Sequence, residues 1–207
     1  MSGGGPARRD GGPCVYVALV HHPVRDRAGR VVTTAITNLD VHDLARSCRA
    51  YGVRRFFVVS PVTSQRRIVQ AIVAHWSEGG AGARRLPERS EALARCEPAE
   101  SVEAAAARVA ELEGGPAPRW VATSARPTPG LAPVGFGALG ERLRSRAGGP
   151  HLLLFGTGHG LHPELLVRCA EQLEPIVPPA GYPHLSVRAA AAIVLDRLLG
   201  RAVSEEP

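Results

Sequence analysis

An α/β domain, with a parallel sheet and helices on both of its faces, is the fold class that the sequence predicts. Three stretches carry the prediction. Between Cys14 and Ser60 a helical pattern separates two valine-rich apolar runs, and parallel strands need such a crossover. Leu152-Leu153-Leu154-Phe155 is an unbroken apolar run bounded by turn formers, as expected of a strand covered on both faces. Gly156, Gly158 and Gly160 follow at alternate positions, with Pro163 suited to the first turn of a helix. Ligands bind beyond the carboxyl ends of strands in open parallel sheets, so these glycines mark a candidate site.

At 207 residues and 44% apolar content, the chain is long and apolar enough for one domain with a substantial core. The expected organisation is a Gly-rich leader over 1–13, a single domain over 14–200 and a tail over 201–207. The leader lacks the apolar centre of a signal peptide and no stretch reaches membrane-spanning length, which points to the cytoplasm. Cys14, Cys48, Cys96 and Cys169 contain no CxxC pair, so neither a metal site nor a disulfide framework is expected. All 25 basic residues are arginine, which excludes a Walker-type phosphate loop, a Schiff base and a lysine base. Residues 1–60 hold nine arginines against four acids, a balance of +5, whereas 101–207 balance at zero. That asymmetry suggests a polyanion on one side and a small ligand on the other.

Taken in order, Cys14–His22 reads as a buried first strand and Pro23–Arg30 as a basic, turn-rich loop. Asn38 and Asp40 are the expected caps of a helix over Asp40–Tyr51, which aligns Val41, Leu44, Ala45 and Cys48 on one face. Gly52 ends it, and Val53–Ser60 is the next strand. Helices are expected over Ser64–Trp76, Glu88–Arg95 and Ser101–Glu113, the last without a capping-box glutamate. Trp120–Thr123 reads as a short strand, Ser124–Pro133 as a loop carrying Arg126, and Gly137–Arg146 as a helix. After the glycine stretch, Glu174–Val177 reads as a further strand, followed by a Pro/Gly-rich loop and an apolar helix ending at Leu199.

The segment from Leu185-Ser186-Val187-Arg188 through Ala189–Ala192 to Ile193-Val194-Leu195 resembles the closing helix of the knotted SPOUT RNA methyltransferases. The chain is similar in particular to a bacterial S-adenosylmethionine-dependent RNA methyltransferase domain that sometimes occurs fused to tRNA (guanine-N1) methyltransferase. The resemblance spans roughly Val15 to Leu199. It implies a carboxy-terminal trefoil knot, a homodimer that uses the knot, and RNA (tRNA or rRNA) as substrate. It also implies S-adenosylmethionine bound by three loops. On this chain they carry Thr123, Ser124, Ala125 and Arg126; Gly156, Thr157, Gly158, His159, Gly160 and Leu161; and Ile176, Leu185, Ser186 and Ala190.

A second motif lies at Asn38–Cys48, similar to the first SPOUT motif in Ala45, Arg46, Gly52 and Val53. The resemblance implies that Arg46 sits beside the transferred methyl group; a surface ion pair with Asp43 or Asp40 is the alternative. Asp40 stands where ribose methylators usually carry Asn, Ser186 replaces Asn, Arg188 replaces Ser, and His159 stands where many carry Glu. Those departures leave base and ribose methylation both open. Asp40 and His184 are the candidate bases, and Arg188 is a candidate for a phosphate or the methionine carboxylate. Arg25, Arg27, Arg30, Arg54 and Arg55 are the candidate RNA contacts, since phosphates are met by positive loops. Two other readings stand beside this one. An RNA-binding module of the same fold without turnover is one. A dinucleotide-binding protein is the other, weakened because fewer than fifty residues remain after the glycines.

Overall fold

The computed structural model describes residues 12–77 and 82–201, so the expected leader and tail lie almost wholly outside the described residues. The strands are β1 (Val15–Val20), β2 (Val24–Arg25), β3 (Val31–Val32), β4 (Phe56–Val59), β5 (Cys96–Ala99), β6 (Arg119–Ala122), β7 (Pro133–Val134), β8 (His151–Gly156) and β9 (Glu171–Leu173). The helices are α1 (Asn38–Ala50), α2 (Thr63–Trp76), α3 (Pro87–Leu93), α4 (Val102–Glu113), α5 (Phe136–Ser145), α6 (Pro163–Leu166) and α7 (Val187–Leu199). Seven strands make one sheet in the order β5-β4-β1-β8-β6-β9-β7, with every neighbouring pair parallel. β2 and β3 form a separate antiparallel hairpin.

Alternation along the central strands divides the core in two. Val15, Val17 and Leu19 share one face with Phe56, Val58, Leu153 and Phe155, packed against α1, α2, α3, α5 and α7. Tyr16, Ala18 and Val20 share the other with Phe57, Val59, Leu152 and Leu154, packed against α4 and α6. Since both faces are covered, the strands read as continuous apolar runs. Burying each leucine or phenylalanine fully stabilises the fold by about 1.5–3 kcal/mol relative to exposure.

Helix starts are set by hydroxyls. Thr37, in extended backbone, caps α1 by accepting from the Asp40 amide at 3.2 Å, and Asn38 is already helical, so the cap is neither Asn38 nor Asp40. Ser101 caps α4 through the Ala104 amide at 3.1 Å without help from a capping-box glutamate. Ser186 caps α7 in the same way through the Ala189 amide at 3.2 Å.

The hairpin β2–β3 stands where the sequence reads as a loop, and within the large sheet strand assignment departs from the sequence reading at three places. The strand expected over Glu174–Val177 lies earlier, as β9, and 174–186 is a loop. Ile176 and Val177 favour a strand, but Pro175 brings no N–H to a ladder, whereas β9 buries the polar Glu171 and Gln172. The other two are β5 and β7, which the sequence reading does not contain. Each includes a proline and each is an edge of the sheet, the one position where a missing ladder donor is tolerated.

Candidate active site

Every strand of the large sheet points the same way, so β1, β6, β8 and β9 all end on one edge. The loops leaving them enclose a cavity of about 670 Å³. The glycine loop after β8 lines one side. At Gly156 a Cβ would lie 2.6 Å from the Leu161 nitrogen and 2.9 Å from the Gly160 carbonyl carbon, so the turn closes only around a hydrogen. Gly158 has φ +59° and lies against the hairpin, where a Cβ would meet the Arg25 carbonyl oxygen at 3.0 Å. The hairpin holds this loop through its backbone: the His159 amide donates to Arg25 O at 3.0 Å and the Arg25 amide donates to Gly160 O at 2.9 Å.

The loop after β6 is clamped by one buried side chain. Gln172 Nε2 donates to Arg126 O at 2.8 Å, and its Oε1 accepts from the Thr128 amide at 2.9 Å. At the start of that loop the Thr123 hydroxyl donates to Leu154 O at 2.9 Å. The loop after β9 begins at Glu174, whose Oε1 accepts from the Phe136 amide at 2.9 Å, and ends at the Ser186 cap of α7.

Phe155, Leu173, Ile176, Leu185, Val187 and Val194 give the cavity an apolar lining, Asp40, Glu174, Arg25 and Arg126 give it charge of both signs, and His159 and His184 add imidazoles. This combination suits a small molecule that has an apolar ring and is zwitterionic elsewhere. The Asp40 carboxylate is already engaged. Its Oδ2 accepts from the Thr37 hydroxyl at 2.6 Å, and its Oδ1 lies 3.4 Å from Arg188 Nε. Arg188 also donates through Nη1 to Asp43 at 2.9 Å. Behind the cavity His21 is fully buried. Burial pushes its pKa down to about 4, against a smaller opposing pull from the Asp40 carboxylate and the nearby Ala35 and Thr34 backbone.

Residues 14–200 match the family model described as SAM-dependent RNA methyltransferase. The chain belongs to that family. It is 43% identical over 196 residues to a tRNA (guanine-N(1)-)-methyltransferase of Nitratidesulfovibrio vulgaris, an alignment covering 95% of this chain and 44% of that protein. The chain thus spans less than half the length of that relative. Among solved structures it is similar to a methylase family protein from Neisseria gonorrhoeae, with TM-score 0.60, 16% identity, and coverage of 98% of this chain and 88% of the other. The SpoU methyltransferase AviRb from Streptomyces viridochromogenes is similar at TM-score 0.53 and 16% identity, with coverage of 92% of this chain and 60% of the other. These likenesses show the fold, the parallel sheet and flanking helices of the SPOUT methyltransferases. The methyl donor of the family is S-adenosylmethionine.

Within this methyltransferase fold the structure gathers most of the residues singled out in the sequence. Thr123, Ser124, Ala125, Arg126, Gly156, Thr157, Gly158, His159, Gly160, Ile176, Leu185, Ser186 and Ala190 line the one cavity, together with Asp40 and His184. Leu161 does not line it; it is buried in the core on the α4 side, bridging to Val24. Arg188 stands behind Asp40 and does not line the cavity either. Arg46 is exposed on α1, on the side away from Val41, Leu44, Ala45 and Cys48, so within one chain it does not face the cavity. Of the arginines expected to meet RNA, Arg25 lines the cavity itself, and Arg27 is exposed at the hairpin turn. Arg30 is paired with Asp26 at 2.8 Å. Arg54 and Arg55 precede β4, at the opposite end of the sheet, where they pair with Glu113 and Glu97. The structure therefore does not bring them together with the cavity. Thr34, Ala35 and Glu174 line it without having been singled out. No local pattern marks Thr34, whereas Glu174 follows a strand end and was open to recognition by that position.

Proposed function

We propose that this chain transfers a methyl group from S-adenosylmethionine to RNA, with tRNA the first substrate to test and rRNA the second. The observation that carries the reading is the cavity at the carboxyl ends of β1, β6, β8 and β9, floored by the side-chain-free turn at Gly156. It fits S-adenosylmethionine: the apolar walls suit adenine, close backbone approach suits its ring nitrogens, and carboxylates with guanidinium groups suit the amino acid end. When bound, the cofactor supplies an electrophilic methyl group on a sulfonium.

The protein's own part is positioning and proton removal. With Asp40 held by Thr37 and Arg188, the exposed imidazole of His184 at the cavity rim is the better placed base for the accepting atom of RNA. Arg25 lines the cavity and bonds His159 O at 3.4 Å, so it can meet cofactor or a phosphate, and Arg27 beside it can meet a neighbouring phosphate. We further propose the trefoil threading of the closing segment, a homodimer through it, and a cytoplasmic place of action. Among the described residues no helix is long and apolar enough to cross a membrane.

A specific observation favours a second reading, an RNA-binding module without turnover: Asp40 is occupied and Arg46 points outward. Methyl incorporation separates the two. Purified protein, labelled S-adenosylmethionine and bulk RNA from a strain lacking the gene should yield labelled RNA, and His184→Ala should lower the rate by about a hundredfold or more, the scale typical of a general base. Cofactor binding with no labelled product would leave the module; absence of cofactor binding would end the methyltransferase reading.

A further inference from the structure

We propose that Thr34 is a positioning residue of the cavity, held by His21 and Gln65 and acting through Thr157 on the glycine loop. The inference rests on reading the cavity as the S-adenosylmethionine site. Thr34 follows the hairpin, Thr157 lies in the loop after β8, His21 ends the run of β1, and Gln65 is in the first turns of α2. Four segments distant in sequence meet at one hydroxyl and one carbonyl.

The directions of the hydrogen bonds follow from proton accounting. The Val20 carbonyl only accepts, so the Thr157 hydroxyl donates to it, at 3.0 Å. The Thr34 hydroxyl contacts the Thr157 hydroxyl and must then donate to it. His21 Nδ1, 3.0 Å from the Thr34 hydroxyl oxygen, must in turn be the donor. The ring's single proton therefore sits on Nδ1, and Nε2 is bare. Buried Nε2 makes no hydrogen bond of ordinary geometry among the described residues, which a bare nitrogen tolerates better than an N–H does. Burial also disfavours a second proton, so at neutral pH the donor stays in place.

The backbone of Thr34 is fixed as firmly. Its amide donates to His21 O at 3.0 Å, and its carbonyl accepts from Gln65 Nε2 at 3.2 Å. Gln65 Oε1 accepts in turn from the buried Ser60 hydroxyl at 2.8 Å. The methyl of Thr34 lies 3.4 Å from where a Gly158 Cβ would be, so the side chain supports two consecutive residues of the loop. Thr34 and Thr157 both line the cavity, whereas His21, Gln65 and Ser60 do not. The relay carries the position of the sheet end and of α2 into the cavity wall.

The test uses the full chain, with shape-matched variants that separate hydroxyl from volume. Thr34→Val keeps the volume and removes the hydroxyl, and Thr34→Ser restores it. His21→Asn keeps a donor near Nδ1, and His21→Gln moves the amide to the position of Nε2. Calorimetry with S-adenosylmethionine should show affinity lowered about tenfold in Thr34→Val and His21→Gln, and within about twofold of the parent in Thr34→Ser and His21→Asn, as expected for loss or retention of one buried hydrogen bond. Hydrogen exchange of ligand-free protein should show faster exchange at 157–160 in Thr34→Val, with α4 unchanged. Parent-like affinity and exchange in Thr34→Val, or equal losses in Thr34→Ser and Thr34→Val, would overturn the proposal. If the parent binds no S-adenosylmethionine the cavity assignment fails, and the exchange measurement still decides the relay.

Discussion

A methyl group added at Gly156 would have to displace backbone, because its neighbours at 2.6 and 2.9 Å belong to Leu161 and Gly160. Gly156→Ala is expected to lower S-adenosylmethionine affinity more than tenfold while costing about 1–3 kcal/mol of stability, the usual range for overpacking. Calorimetry and urea unfolding measure the two effects separately. His21 gives a pH prediction. Its folded pKa of about 4 lies below the ordinary histidine value, so between the two the unfolded chain binds the extra proton. Its contribution is therefore intact above about pH 6.5 and is lost as pH falls towards 4, reaching roughly 3 kcal/mol. Urea midpoints across that window should fall more steeply for the parent than for His21→Asn; parallel curves would contradict a neutral buried imidazole.

At the scale of elements, α7 is fixed by contact more than by charge. Gly140 of α5 lets the two helices approach so closely that a Cβ there would lie 2.8 Å from the Leu198 carbonyl oxygen. α1 is tied to α7 near both ends, by Arg188 to Asp43 at 2.9 Å and by the Tyr51 hydroxyl to Asp196 at 2.9 Å. The ion pair is partly solvated, so Arg188→Met should cost less than about 1 kcal/mol. Gly140→Val, which forces the helices apart, should cost about 1–3 kcal/mol. Chemical denaturation ranks the two, and the reverse order would mean that charge, not packing, seats the closing helix.

For the whole molecule the question is where RNA approaches. Arg25 and Arg27 lie on the cavity side of the sheet, whereas Arg54 and Arg55 lie at the far end, occupied by Glu113 and Glu97. If RNA meets the cavity rim, replacing Arg25 and Arg27 by Ala should reduce the salt slope of RNA binding by about one to two units, since each phosphate contact releases counterions. Replacing Arg54 and Arg55 should leave the slope alone and lower the unfolding midpoint instead. Filter binding across a salt series distinguishes these outcomes, and a slope that responds only to the second pair would place RNA at the opposite end.

The sequence by itself determined the parallel α/β class, the central strands β1, β4 and β8, and the three loops that line the cavity. Each rests on a local cause: unbroken apolar runs for doubly covered strands, and glycines and prolines where the backbone must turn after a strand. Only the tertiary structure decided the edge strands, where proline hides the pattern, and β9, where Glu171 and Gln172 read as surface until their partners are seen. Arg142 neutralises Glu171 at 2.6 Å, and Gln172 satisfies the loop after β6. It also decided which arginines stand near the cavity. Charge counted along the chain takes no account of which end of a strand a residue occupies: Asp40 lines the cavity, whereas Arg54, fourteen positions later, precedes β4 and pairs with Glu113. Thr34 has no signature in sequence, because what it does depends on His21, Gln65 and Thr157 arriving around it from three other segments.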